Sequence, residues 1–132
     1  MSPSPGFRRT FLLGAVMLGA AGCTMAAEEP LNYIIFFAAN SAELDSPAQG
    51  VIAEAAAAAK AAPGRAVTVE GYANRGGTAQ ANEILSRLRA QVVADGLAER
   101  GVDKARVRIR PKVATGGDPG IESRRVEVII GR

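Results

Sequence analysis

Histidine is absent from the 132 residues, and cysteine occurs once, as Cys23. The first absence removes the imidazole on which most general acid–base and serine-nucleophile chemistry depends, together with the commonest metal ligand. The second excludes an intramolecular disulfide. No metal-ligand spacing of Cys, Asp and Glu takes the place of the missing histidines, so neither a metal nor another cofactor is expected. A hydroxyl such as that of Ser86 would need a lysine or carboxylate base to become a nucleophile. These gaps argue against an enzyme and for a binding or structural role.

A basic surplus is also missing once the first residues are set aside. Met1 to Arg9 is short and polar and carries Arg8 and Arg9; "FLLGAVMLGAA", Phe11 to Ala21, is an uncharged apolar run of eleven residues. That run is too short for a spanning helix and reads as a secretory signal over residues 1–22. Its removal takes two of the 16 basic residues and none of the 13 acidic ones, leaving a net charge of +1. The compositional case for a nucleic-acid partner goes with it. "LGAAGC" resembles the lipobox of bacterial lipoproteins, which implies acylation of Cys23 and attachment to a membrane through a lipid anchor; "RRTFLL" resembles a twin-arginine export signal. Residues 23–30 then form anchor and linker, and 31–132 one domain with a core of moderate size. Thr24 to Pro30 spans at most about 25 Å, which keeps the domain close to its membrane.

Within the domain, "LNYIIFF", ending at Phe37, predicts a continuously buried strand. A helix follows, with Ser46 as N-cap and Pro47 at its first position, running through the alanines to Ala62 before "PG". "RAVTVEGYA" alternates as a strand, with Val67 and Val69 on one face and Thr68 and Glu70 on the other. Thr78 is the expected N-cap of a second helix that reaches about Arg100. "KARVRIRPK" alternates throughout, with Lys104, Arg106, Arg108, Arg110 and Lys112 on one side, and "RRVEVII", Arg124 to Ile130, makes the last strand. The order β-α-β-α-β-β predicts an α+β two-layer sandwich, a mixed four-stranded sheet with both helices on one face. The basic row would lie on the open face, either as a solvated surface that resists aggregation or as a surface for an anionic partner.

One helix row is unusual. Asn82, Ser86 and Arg89 fall on the line that Val93 and Leu97 continue, so a polar row runs down a face the helix buries. Asn74, Arg75, Gly76 and Gly77 lie at the carboxyl end of the second strand, where open α/β sheets usually bind ligands. Asn40 reaches the same rim if the first two strands are adjacent and parallel. A buried arginine needs a partner. Glu43, Glu70 or Glu122 could supply one internally; alternatively the glycines, asparagines and guanidinium form a small pocket for a carboxylate-bearing ligand.

"LSRLRAQVVADGL" resembles the L-S-x-x-R-A-x-x-V-x-x-x-L signature of the OmpA-like peptidoglycan-binding domain, met by Leu85, Ser86, Arg89, Ala90, Val93 and Leu97. "VEGYANRGGTAQAN", "FFAANSAEL" and "SRRVEVII" resemble further segments of that family, and together they cover about Tyr33 to Ile130. The resemblance implies a pocket for the free end of meso-diaminopimelate in the peptidoglycan stem peptide. Arg89 would grip its carboxylate, residue 74 would meet its ammonium, Asn40 and Asn82 would line the site, and Arg124 would lie nearby. It further implies a lipid-anchored periplasmic domain that tethers the outer membrane to the wall, since Thr24 is not the aspartate of inner-membrane retention. Asn74 stands where the family has aspartate, and the lost charge costs on the order of 1.5–3 kcal/mol. "VATGGDPGIES" lacks the family's G-x-G-E-x-x-P pattern and the asparagine before the arginine pair. The alternative role is a degenerate module that scaffolds envelope proteins through its helices or basic face.

Overall fold

Alternating apolar residues and two amphipathic helices give the expected order: β1 Leu31–Phe36, α1 Ser46–Ala61, β2 Ala66–Ala73, α2 Ala79–Glu99, β3 Val107–Val113 and β4 Arg125–Gly131. The computed structural model describes residue 22 and residues 28–73, 77–113 and 120–131. The expected leader apart from Gly22, the anchor Cys23 and the candidate Asn74 lie outside the described residues. The sheet order is β1-β4-β2-β3. β2 and β3 are parallel, and β4 runs antiparallel to both β1 and β2. β1 and β2 are therefore parallel, as expected, but β4 lies between them and they are not adjacent.

Val67, Val69, Val126, Val128 and Ile130 are fully buried on the covered face. Against them α1 packs Ala48, Ile52, Ala55, Ala56 and Ala59, a stripe at helical spacing whose small side chains bring the helix close to the sheet. α2 adds Ala90, Val93 and Leu97. Each buried Val, Leu or Ile contributes about 1.5–3 kcal/mol. Among the described residues the core cluster runs from Ile35 to Ile130, within 31–132. Among the described residues, no helix is long and apolar enough to cross a membrane.

Four local expectations need correction. β1 is not buried throughout: Ile35 is 1% exposed, but Ile34 and Phe36 are 41% and 45% exposed. It is an edge strand covered on one face only, so its side chains alternate despite an apolar sequence. The N-cap of α1 is Asp45, whose Oδ1 accepts from the Ala48 N–H at 2.8 Å; Ser46 is the first helical residue. Asp45→Ala should cost about 1 kcal/mol and lower the thermal midpoint by about 4–8 °C, while Ser46→Ala leaves it unchanged, which a melting curve checks.

The third correction concerns Lys104–Arg106, a short 3-10 turn rather than the start of β3. Arg106 leaves the basic row and donates to the carbonyls of Ala59, Ala62 and Arg65 at 2.8–3.2 Å, closing the C-terminus of α1. The remaining Arg108, Arg110 and Lys112 are exposed on the open face, as predicted. The last concerns Arg124, which ends a 3-10 turn over Ile121–Ser123 instead of beginning β4. α2 starts after its expected N-cap, Thr78, and ends at Glu99 with Arg100 as C-cap; Gly101, at a φ of 94°, then lets Val102 N–H bond back to Leu97 O.

Candidate functional site

β1, β2 and the turn before β4 finish at one rim of the sheet, beside the N-terminal half of α2. The close fit there begins with Gly71. A Cβ at Gly71 would stand 2.0 Å from the Ser86 carbonyl oxygen, so the missing side chain is what allows α2 to lie on β2. Ser86 is buried, and its hydroxyl donates to Glu83 O at 3.0 Å. That bond ties the hydroxyl into its own helix.

One turn on, Arg89 is 1% exposed. Its Nε donates to Ser41 O at 2.8 Å, Nη1 to Tyr72 O at 3.1 Å and Ser123 O at 3.3 Å, and Nη2 to Ala38 O at 3.2 Å. The guanidinium also lies 5.4 Å from the centre of the Phe37 ring. Four carbonyls from three segments of chain thus converge on one side chain: the loop after β1, the end of β2 and the turn before β4. None of Glu43, Glu70 and Glu122 pairs with it, contrary to the internal partners the sequence offered. Glu70 turns to the open face of the sheet, where it accepts from the Tyr72 hydroxyl at 3.2 Å and meets Lys112 Nζ at 3.5 Å.

Carbonyls satisfy hydrogen bonds without cancelling charge. Burial, and then the charge of Arg124, press the Arg89 guanidinium below the ordinary arginine value. An arginine stays protonated at neutral pH even so. Arg124 is half-buried, and its Nε is enclosed with no hydrogen-bond partner among the described residues. The backbone beneath it is firmly held, with Phe37 N–H donating to Arg124 O at 2.8 Å and Arg124 N–H to Ile121 O at 3.0 Å. Two cations therefore share the rim, and among the described residues neither forms an ion pair.

The other candidates border this centre. Asn40 is exposed at φ 53°, in the left-handed region that asparagine tolerates better than most residues, between the Ala38 and Ser41 carbonyls that Arg89 holds. Asn82 is half-buried in the first turn of α2. The structure thus brings Arg89, Arg124, Asn40 and Asn82 to one end of the molecule. Sequence reasoning missed the carbonyl cradle, the ring of Phe37 beneath it and the turn at Ser123. It also missed the Arg125 guanidinium stacked 3.9 Å from the Tyr72 ring on the open face.

Among known proteins, the model of the OmpA family matches residues 36–127. No curated protein sequence matches the chain. Solved structures do. The OmpA-like domain of FopA1 from Francisella tularensis is 28% identical with a TM-score of 0.69, over 76% of this chain and 71% of that one. The peptidoglycan-associated lipoprotein from Burkholderia pseudomallei is 24% identical at 0.67, over 74% and 89%. The cell wall anchor of the T6SS from Pseudomonas aeruginosa is 24% identical at 0.62, over 77% and 81%.

Proposed function

We propose, from the premise that the chain belongs to the OmpA family, that this domain binds peptidoglycan non-covalently and holds the outer membrane to the wall. The observation that carries the reading is the rim itself: two guanidiniums, Arg89 and Arg124, with no carboxylate ion-paired to either among the described residues. Such a site calls for an anion, and the free carboxylate of diaminopimelate in a stem peptide is the group we assign to it. Asn40 and Asn82 line its approach, and the ligand's ammonium is assigned to Asn74, a neutral amide that lies outside the described residues. Two structural neighbours carry names tied to the wall, which favours the same class of ligand.

Placement in the envelope follows the same logic. The linker enters β1 at Leu31, and the rim begins beyond Phe36, six residues and about 20 Å further along the strand. With Cys23 lipidated in the outer membrane and a linker of seven residues, we assign the rim, at the far end of β1 from the linker, to the side of the wall. A second reading, a scaffold for envelope proteins, is favoured by the apolar side chains of Ile34 and Phe36 that stand exposed on the open face of β1.

Co-sedimentation with purified sacculi tests the proposal. Residues 24–132 should pellet with sacculi at low salt and stay in solution without them. Protein left in the supernatant in both cases would sink the binding role and leave the scaffold.

A further inference from the structure

The open face of the sheet takes no part in the rim, and its side chains are sorted by strand. The registers align Ile34, Glu127, Glu70 and Arg110 in one row across the four strands and place Phe36 beside Arg125. The two carboxylates of this face are recessed and engaged. Glu127, with its side chain 16% exposed, accepts from Arg125 Nε at 2.7 Å, and Glu70, 11% exposed, meets Lys112 Nζ at 3.5 Å. What projects is of two kinds. On β1 stand Ile34 and Phe36, apolar and exposed. On β3, three strand spacings or about 14 Å away, stand Arg108 and Arg110, exposed and without an ion pair among the described residues. With Lys112 and Arg125 the face holds four cations against two carboxylates.

We propose that this face lies on an anionic bilayer, with Arg108, Arg110 and Lys112 against lipid phosphates and the side chains of Ile34 and Phe36 in the interfacial layer. An apolar strip alone would suit any hydrophobic partner, and a cationic strip alone any anion. A leaflet offers both at once across the width of the sheet, phosphates at its surface and acyl chains just beneath. Arginine stems reach along the sheet to the phosphates while Phe36 sits deeper. The carboxylates do not oppose the contact, because each is recessed and has a cation beside it. The chain's own path supplies the membrane: the linker from the expected lipid at Cys23 enters the domain at Leu31, the start of the strand that carries Ile34 and Phe36. Both helices pack on the other face, so α2 and the rim beside it are left on the side of the wall. The contact requires the anchoring membrane and not the wall ligand, and sacculi binding can succeed or fail without altering it.

Vesicle co-sedimentation of residues 23–132 as Cys23→Ser, so that no lipid holds the protein, tests the face. The protein should pellet with vesicles of phosphatidylethanolamine and phosphatidylglycerol at low salt, stay in solution with phosphatidylcholine alone, and be released as salt is raised. Arg108→Gln combined with Arg110→Gln should lower partitioning about 10–30-fold at an unchanged melting midpoint, since neither guanidinium has an ion-pair partner among the described residues. Lys60→Gln combined with Arg87→Gln removes the same charge from exposed positions on the helices and should lower it less than about threefold. The chain has no tryptophan, so Phe36→Trp is a single reporter: its emission should move to the blue on the anionic vesicles and be quenched by brominated acyl chains. Protein left in solution with every vesicle mixture overturns the proposal. So does an equal loss in the two double variants, which marks a general charge attraction, and so does a Phe36→Trp emission that stays unmoved while the protein pellets.

Discussion

Gly71→Ala should leave the domain unfolded or lower its thermal midpoint by more than about 15 °C. Adding one methyl to a packed interior usually costs about 1–3 kcal/mol, because neighbouring side chains can turn aside. At Gly71 the obstacle is backbone: the Ser86 carbonyl oxygen stands 2.0 Å from the new Cβ and its carbon 2.9 Å away. A main-chain carbonyl in mid-helix cannot rotate clear without breaking its helix, so α2 would have to lift from β2. Lifting it would open the contacts of Ala90, Val93 and Leu97, three of the most buried residues of the core. More than 3 kcal/mol, at about 4–8 °C per kcal/mol for a domain of this size, gives the expected shift. Gly64→Ala is the control, since a Cβ there meets nothing within 4 Å. A Gly71→Ala midpoint within about 5 °C of the parent would mean that the helix slides over the sheet at little cost, and the rim would then be softer than its geometry indicates.

How far the sequence could be read follows from which interactions it encodes in side chains. The order of elements, the N-cap Thr78 and the valine face of β2 were legible because each depends on side-chain periodicity or a capping oxygen. β1 was misread because an edge strand and a central strand share composition when the uncovered face of the edge is also apolar. Arg106 was misread because a perfect alternation extended three residues beyond the true strand; its three carbonyl partners sit in Ala59, Ala62 and Arg65, whose side chains say nothing of that role. The same blindness explains the site. The polar row on α2 pointed correctly to a buried Arg89, but its partners were sought among carboxylates. They are main-chain oxygens, and every residue has one. Arg124 attracted notice only through the family resemblance, since its distinguishing feature, an enclosed donor with no partner among the described residues, exists only once the chain is folded.

The role of Arg89 as a clamp leads to the other large expected effect. Arg89→Met keeps the length and apolar stem of the side chain and removes its donors. The carbonyls of Ala38, Ser41, Tyr72 and Ser123 would lose a shared partner in a place water reaches poorly, and each buried polar group left unsatisfied costs about 1–3 kcal/mol. The midpoint should fall by roughly 15 °C or more, with peptide binding lost because the turn carrying Arg124 is no longer held. Arg89→Lys should fall between, since an ammonium has three donors at one point and cannot span carbonyls that approach the guanidinium from three segments. A direct ligand-gripping arginine would behave differently. Its replacement by methionine would abolish binding and spare the midpoint, or raise it by removing a buried charge. A melting curve of Arg89→Met beside the parent therefore checks the clamp: a steep fall fits it, and a flat or rising midpoint overturns it.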